Sequence, residues 1–131
     1  MNLLLDTRVL LWWLDGSRRL GRGARARIAA RDSAVWISAA TAWEVAIKAA
    51  LGRLTMKEPP EICLPREIGR SDFHPLAVGF DHALAVRTLP PHHADPFDRL
   101  LIAQARTGNL TIVTADAVFR RYDVRVLDAS E

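Results

Sequence analysis

The chain has 131 residues, half of them hydrophobic and a quarter charged, which fits one folded domain over 1–131 and excludes a disordered or repetitive protein. Its net charge of +3 favours an anionic partner only weakly, because all its basic residues except Lys48 and Lys57 are arginine, a bias that a GC-rich genome also produces. The single cysteine, Cys63, excludes an internal disulfide and a cysteine-based zinc site and fits a reducing, cytoplasmic compartment.

Residues 2–6, NLLLD, predict a short buried strand, a continuous apolar run ended by a polar residue. TRVLLWWLD follows with helical spacing and is closed by Gly16 and Ser17. Asp6 and Arg8 interrupt this apolar start and no basic leader precedes it, so neither a signal peptide nor a membrane span is expected. Residues 22–32, RGARARIAARD, predict a basic amphipathic helix. AVWIS at 34–38 is a second strand, followed by a helix over 39–54 that carries Trp43, Ile47, Ala50, Leu51 and Leu54 on one apolar stripe. Gly52 marks its end.

Residues 57–72 contain three prolines and read as a loop with one short helix. FHPLAV at 73–78 reads as a strand near a sheet edge because of Pro75. Residues 79–89 predict a helix and 90–94 a loop. DPFDRLLIAQARTG at 95–108 is a helix with Gly108 as its C-cap. NLTIVTAD is a buried strand, AVFRRYD a short helix and VRVLDA a last strand. Strands alternating with helices at this rate imply a parallel sheet covered on both faces. In such sheets ligands sit beyond the carboxyl ends of the strands, at the switch point.

Four acids fall at that edge. Asp6 ends the first strand, and Asp116 lies just past LTIVT. Asp98 is in the first turn of the helix that leads into LTIVT, and helices here run antiparallel to strands. Glu44 is in the second turn of the helix after AVWIS. Each has a structural explanation. Asp6 and Asp116 suit helix caps, worth about 0.5–2 kcal/mol. Asp95 and Pro96 form an N-cap and N1 pair that leaves Asp98 where an acid suits the helix dipole. Glu44 and Lys48 form a favourable i, i+4 pair. Capping does not explain Glu44, however, and it does not explain why all four converge. Clustered carboxylates raise one another's pKa, and a hard divalent cation relieves the repulsion. Oxygen donors without a Cys or His motif point to Mg²⁺ or Mn²⁺ rather than zinc.

LLLDTRVLLWWL, SAATAWEVAIKAALGRL, HHADPFDRLLIAQA and LTIVTAD, in this order and spacing, resemble the motifs of PIN-domain ribonucleases, and within them the VapC-type toxins of bacterial toxin–antitoxin pairs. The resemblance covers nearly the whole chain and thins between Lys57 and Arg87. It implies a three-layer α/β/α sandwich with a parallel sheet of about five strands. Carried over residue by residue, it implies an acidic site at Asp6, Glu44, Asp98 and Asp116, with Thr7, Asp95 and Thr114 in support. One or two Mg²⁺ or Mn²⁺ ions, an RNA substrate and a cognate antitoxin are implied likewise; a homodimer is a separate expectation, from the adjacent Trp12 and Trp13. The implied reaction is phosphodiester hydrolysis leaving a 5′-phosphate and a 3′-hydroxyl.

A response-regulator receiver domain would need an acid pair after the first strand and a late lysine, whereas Thr7 follows Asp6 and both lysines precede residue 58. A haloacid-dehalogenase-like phosphatase would need Asp where Arg8 stands. The remaining alternative is a non-catalytic PIN scaffold binding RNA or a protein. Arg22 and Arg25 are candidates for RNA or antitoxin contact, although a solvated arginine face explains that segment as well. Trp12 and Trp13 are adjacent, so one narrow stripe cannot bury both, and Trp12 is a candidate for a dimer or antitoxin contact. His92 and His93 lie just before the Asp95 region, where contact with substrate is one reading, but without ligand spacing they read better as loop histidines without a role.

Overall fold

The computed structural model describes residues 1–131. Strands β1 (Asn2–Leu5), β2 (Ala34–Ser38), β3 (His74–Leu76), β4 (Thr111–Thr114) and β5 (Arg125–Asp128) form one sheet in the order β3-β2-β1-β4-β5. Every pairing is parallel. From β1 the chain steps outward to β2 and β3, then returns to the other side of β1 for β4 and β5. The switch point therefore lies between the carboxyl ends of β1 and β4. Pro75 is in β3, at the edge, where the missing N–H costs no central ladder bond.

Six helices cover the sheet: α1 (Thr7–Asp15), α2 (Arg22–Ala29), α3 (Ala39–Ala50), α4 (Pro60–Arg70), α5 (Phe80–Ala85) and α6 (Pro96–Gly108). The pleat sends alternate side chains to opposite faces. Leu3, Leu5, Val35, Ile37 and Val113 pack with Val9 and Leu10 of α1, Ile28 of α2, Val45 of α3 and Leu64 of α4. Leu4 and Ile112 pack on the other face with Leu101, Ile102 and Ala105 of α6 and with Phe119. Burial on both faces is why β1 and β4 are continuous apolar runs. The architecture is an α/β/α sandwich, and no helix is long and apolar enough to cross a membrane.

Four local readings need correction. The apolar stripe of α3 does not face the core: Trp43, Ile47 and Leu51 are exposed at 58%, 36% and 61%, while Ala40, Thr41, Glu44 and Val45 are buried. Ser38 both ends β2 and caps α3, accepting from the Ala40 N–H at 3.0 Å. With no loop between them, the strand sets the rotation of the helix, and small side chains let it lie close to the sheet. Second, α4 is a helix of 11 residues that runs through Pro65. Packing of Leu64 and Ile68 against the core outweighs the hydrogen bond that Pro65 forfeits. Third, α6 ends one residue later than expected. Gly108 is its last residue, and Asn109 takes the left-handed conformation at φ 54°. Fourth, the short helix expected after β4 is a 3₁₀ turn over Ala117–Arg121.

Candidate active site

A cleft of about 430 Å³ opens at the switch point and is lined by Asp6, Glu44, Asp95, Asp98 and Asp116. The backbone explains the convergence. Parallel pairing sets Leu5 opposite Val113, so the residues just beyond, Asp6 and Thr114, are neighbours across the sheet. α6 starts at the same edge because it runs back against β4. α3 starts there because Ser38 turns the chain directly from strand to helix.

Each acid is held by specific partners. Asp6 Oδ1 accepts from the Val9 N–H at 2.8 Å, which caps α1, while Oδ2 accepts from the Thr114 hydroxyl at 2.5 Å. Thr114 Oγ1 in turn accepts from the Asp116 N–H at 3.0 Å. Asp116 Oδ1 accepts from the Val118 N–H at 3.0 Å and caps the 3₁₀ turn. Glu44 Oε1 accepts from the Thr7 hydroxyl at 2.7 Å, and Oε2 pairs with Lys48 Nζ at 2.6 Å. Asp95 Oδ1 accepts from the Asp98 N–H at 2.9 Å and starts α6. The capping and clustering explanations are therefore compatible. A cap uses one carboxylate oxygen and leaves the residue at the rim of the cleft.

The electrostatics are those of crowded, partly dry acids. Burial pushes the Asp6 carboxyl up, against the lowering effect of Thr114 and the Val9 N–H. Burial likewise pushes Asp98 up to about 7, with the Asp95 charge adding to the shift and His93 opposing it. Ionising these carboxyls in the folded protein is therefore costly. A hard divalent cation would offset that cost through oxygen donors, so the residues fit such an ion.

Sequence reasoning missed part of this site. His93 Nε2 lies 2.8 Å from Asp98 Oδ2 and 3.5 Å from Asp116 Oδ2. The potential ligand atoms of His93, Asp98 and Asp116 all fall within 4.8 Å of one another. Its only signal was proximity to Asp95 along the chain. Arg8 and Arg53 also line the cleft, beside Lys48, and bring positive charge to an acidic floor. Arg22, Arg25 and Trp12 do not line it. Arg22 is exposed, and Arg25 lies 5.4 Å from the Trp13 ring centroid and donates to the Ser17 carbonyl at 3.2 Å. Trp12 is half-buried against the core, as is Trp13, whose indole N–H donates to Ser71 at 3.1 Å.

The family model of the PIN domain matches residues 3–125. The chain belongs to the PIN domain family. No curated protein matches this PIN domain in sequence. Among solved structures it is similar to VapBC2 from Rickettsia felis bound to a DNA fragment from the promoter, with a TM-score of 0.72 and 15% identity over 97% of this chain and 98% of that one. It is similar to VapBC-1 from nontypeable Haemophilus influenzae, with a TM-score of 0.68 and 17% identity over 100% of both chains. FitAcB from Neisseria gonorrhoeae gives a TM-score of 0.58 and 22% identity over 97% of each chain. At these identities the likeness is one of fold.

Proposed function

We propose that this PIN domain is a Mg²⁺- or Mn²⁺-dependent endoribonuclease, the VapC-type toxin of a toxin–antitoxin pair, acting in the cytoplasm. The observation that carries this reading is the convergence of Asp6, Glu44, Asp98 and Asp116, from four segments, in one cleft of a PIN fold. In this reading the four carboxylates hold one or two ions. A bound ion supplies Lewis-acid polarisation of the phosphate and a more acidic water. Thr7 and Thr114 orient Glu44 and Asp6 through the hydrogen bonds described above, and Asp95 fixes the first turn that carries Asp98. Arg8 and Arg53 sit where backbone phosphates of a single strand would approach, and Arg contacts of that kind are sequence-independent.

The reading is tested by incubating the purified chain with structured RNA in Mg²⁺ or Mn²⁺, with and without excess EDTA, and mapping the cut ends. Cleavage that stops in EDTA and leaves 5′-phosphates is the expected result. Undiminished cleavage in EDTA sinks the mechanism.

Two apolar surfaces support protein partners. A groove of about 1210 Å³ between α3, α4 and β3 is lined by Ala42, Ala46, Leu64, Ile68 and Leu76 and suits an apolar antitoxin segment. The similarity of the fold to VapBC assemblies supports that partner. Phe80 and Leu84 on α5 are exposed at 89% and 74%, a cost in water that a second copy would relieve. Leu84→Glu is therefore expected to shift the chain from dimer to monomer by size exclusion with light scattering. A monomeric wild type would remove the homodimer from the proposal.

A further inference from the structure

The loop between α5 and α6 sets an imidazole against Asp98 at the margin of the cleft, and two side chains from elsewhere hold it there. Tyr122 accepts the His93 backbone N–H on its hydroxyl oxygen at 2.8 Å and donates to the Pro90 carbonyl at 2.9 Å. Arg99 donates to the carbonyls of Val86 at 3.1 Å, Leu89 at 3.3 Å, Pro90 at 3.0 Å and His93 at 3.3 Å. A planar guanidinium with donors in a fixed fork suits this use. Arg99 is spent on the backbone of its own loop, so it is not a free charge for RNA. The Phe119 ring meets the imidazole edge to face, with centroids 6.0 Å apart.

The imidazole closes a short cycle. Its Nδ1 faces the Asp95 N–H at 3.5 Å, its Nε2 faces Asp98 Oδ2 at 2.8 Å, and Asp95 Oδ1 accepts from the Asp98 N–H at 2.9 Å. With a donor opposite Nδ1, the hydrogen-bond network assigns the ring proton to Nε2, where it is donated to Asp98. A ring in that tautomer offers no lone pair toward the cleft, which makes it a hydrogen-bond partner of the carboxylate rather than a ligand beside it.

We propose that His93 is a positioning residue of this site: its Nε2–H holds one oxygen of Asp98 and turns the other toward a divalent cation, while Arg99 and Tyr122 hold His93. The inference rests on the metal-nuclease reading above. Hydrogen-bond partners of metal-binding side chains typically change metal affinity about 10–100-fold when removed.

The test is calorimetric titration of the full chain with Mn²⁺, joined to pulsed EPR of the bound ion. His93→Ala is expected to weaken Mn²⁺ binding about 10–100-fold, and His93→Gln, whose amide N–H can still reach Asp98, to stay within about threefold of wild type. Wild type is expected to show no directly coordinated nitrogen. Unchanged Mn²⁺ affinity in His93→Ala overturns the proposal. A coordinated nitrogen in wild type that disappears in His93→Ala also overturns it, because the imidazole is then a ligand. If His93→Ala loses its circular dichroism spectrum, Tyr122→Phe takes its place, with several-fold weaker Mn²⁺ binding expected and unchanged binding counting against the proposal. Wild type that binds no Mn²⁺ overturns the nuclease reading and this inference together, whereas an unaffected His93→Ala overturns the inference alone.

Discussion

Asp98→Asn is expected to lower RNA cleavage by a factor on the order of 10²–10³ or more, the scale seen when one charge-stabilising group is lost from an active site. The same substitution should leave the metal-free fold as stable as wild type in acid and more stable in mild alkali. Burial first, and the Asp95 charge second, raise the folded pKa of Asp98 from an ordinary 3.8 to about 7. A carboxyl with a raised folded pKa stabilises the fold below its unfolded value, and that contribution is lost as pH rises through the folded value. Asn cannot ionise, so it escapes the loss. Its amide oxygen still accepts from His93. Asp6→Asn should lose cleavage likewise, but its single amide oxygen cannot accept from both the Val9 N–H and the Thr114 hydroxyl, so no gain in stability is expected of it. Thermal melting in EDTA at about pH 4 and about pH 8 checks the stability arm, and single-turnover cleavage checks the other. Wild-type cleavage rates in either variant, or a lower melting temperature for Asp98→Asn at the higher pH, would sink this account. A residue whose replacement stabilises the fold while abolishing activity is one that the fold does not need for itself.

The parts of this site readable from sequence are those set by local chemistry. Asp95 and Pro96 determine where α6 starts, and the start determines that Asp98 lies one turn in, at the sheet edge. The apolar runs of β1 and β4 are unmistakable because both faces are buried, and they carry Asp6 and Asp116 with them. Glu44 lies at the expected edge, but α3 turns a different face to the core than its hydrophobic pattern predicts. The Trp43, Ile47 and Leu51 stripe is the more hydrophobic one, but the direct turn from β2 through Ser38 buries the side bearing Ala40, Thr41, Glu44 and Val45. An apolar stripe reports that something covers it, which need not be the core of the same chain. His93 reads as a loop histidine in sequence for a different reason. Its position depends on Tyr122 and Arg99, 29 and 6 residues away, folding one loop back over the end of β4. No local pattern encodes that contact. Likewise, Pro65 reads as a breaker until Leu64 and Ile68 are seen packed on the core.

Apparent affinity for Mn²⁺ is expected to climb with pH up to about 7 and to level off above it, by up to about tenfold per pH unit on the rising limb. In the proposed site, cation binding needs the carboxylate form of Asp98, and below about 7 that form has to be made by releasing a proton. Asp6, raised by burial as well, steepens the acid end of the curve. Calorimetry in buffers of different ionisation enthalpy counts the protons directly: about one released per ion on the rising limb and few on the plateau. Asp98→Asn should flatten the curve as well as lower it. The stabilisation conferred by Mn²⁺ on wild type should grow over the same range, because the repulsion that the ion relieves develops only as Asp98 ionises beside Asp95 and Asp6. The crowding and burial that raise Asp98 also strengthen its hold on a proton, so proton and divalent cation would compete for the same carboxylate. An affinity that does not change between about pH 5.5 and about pH 8 would show either that Asp98 is ionised throughout or that other groups hold the ion, and either result sinks this account.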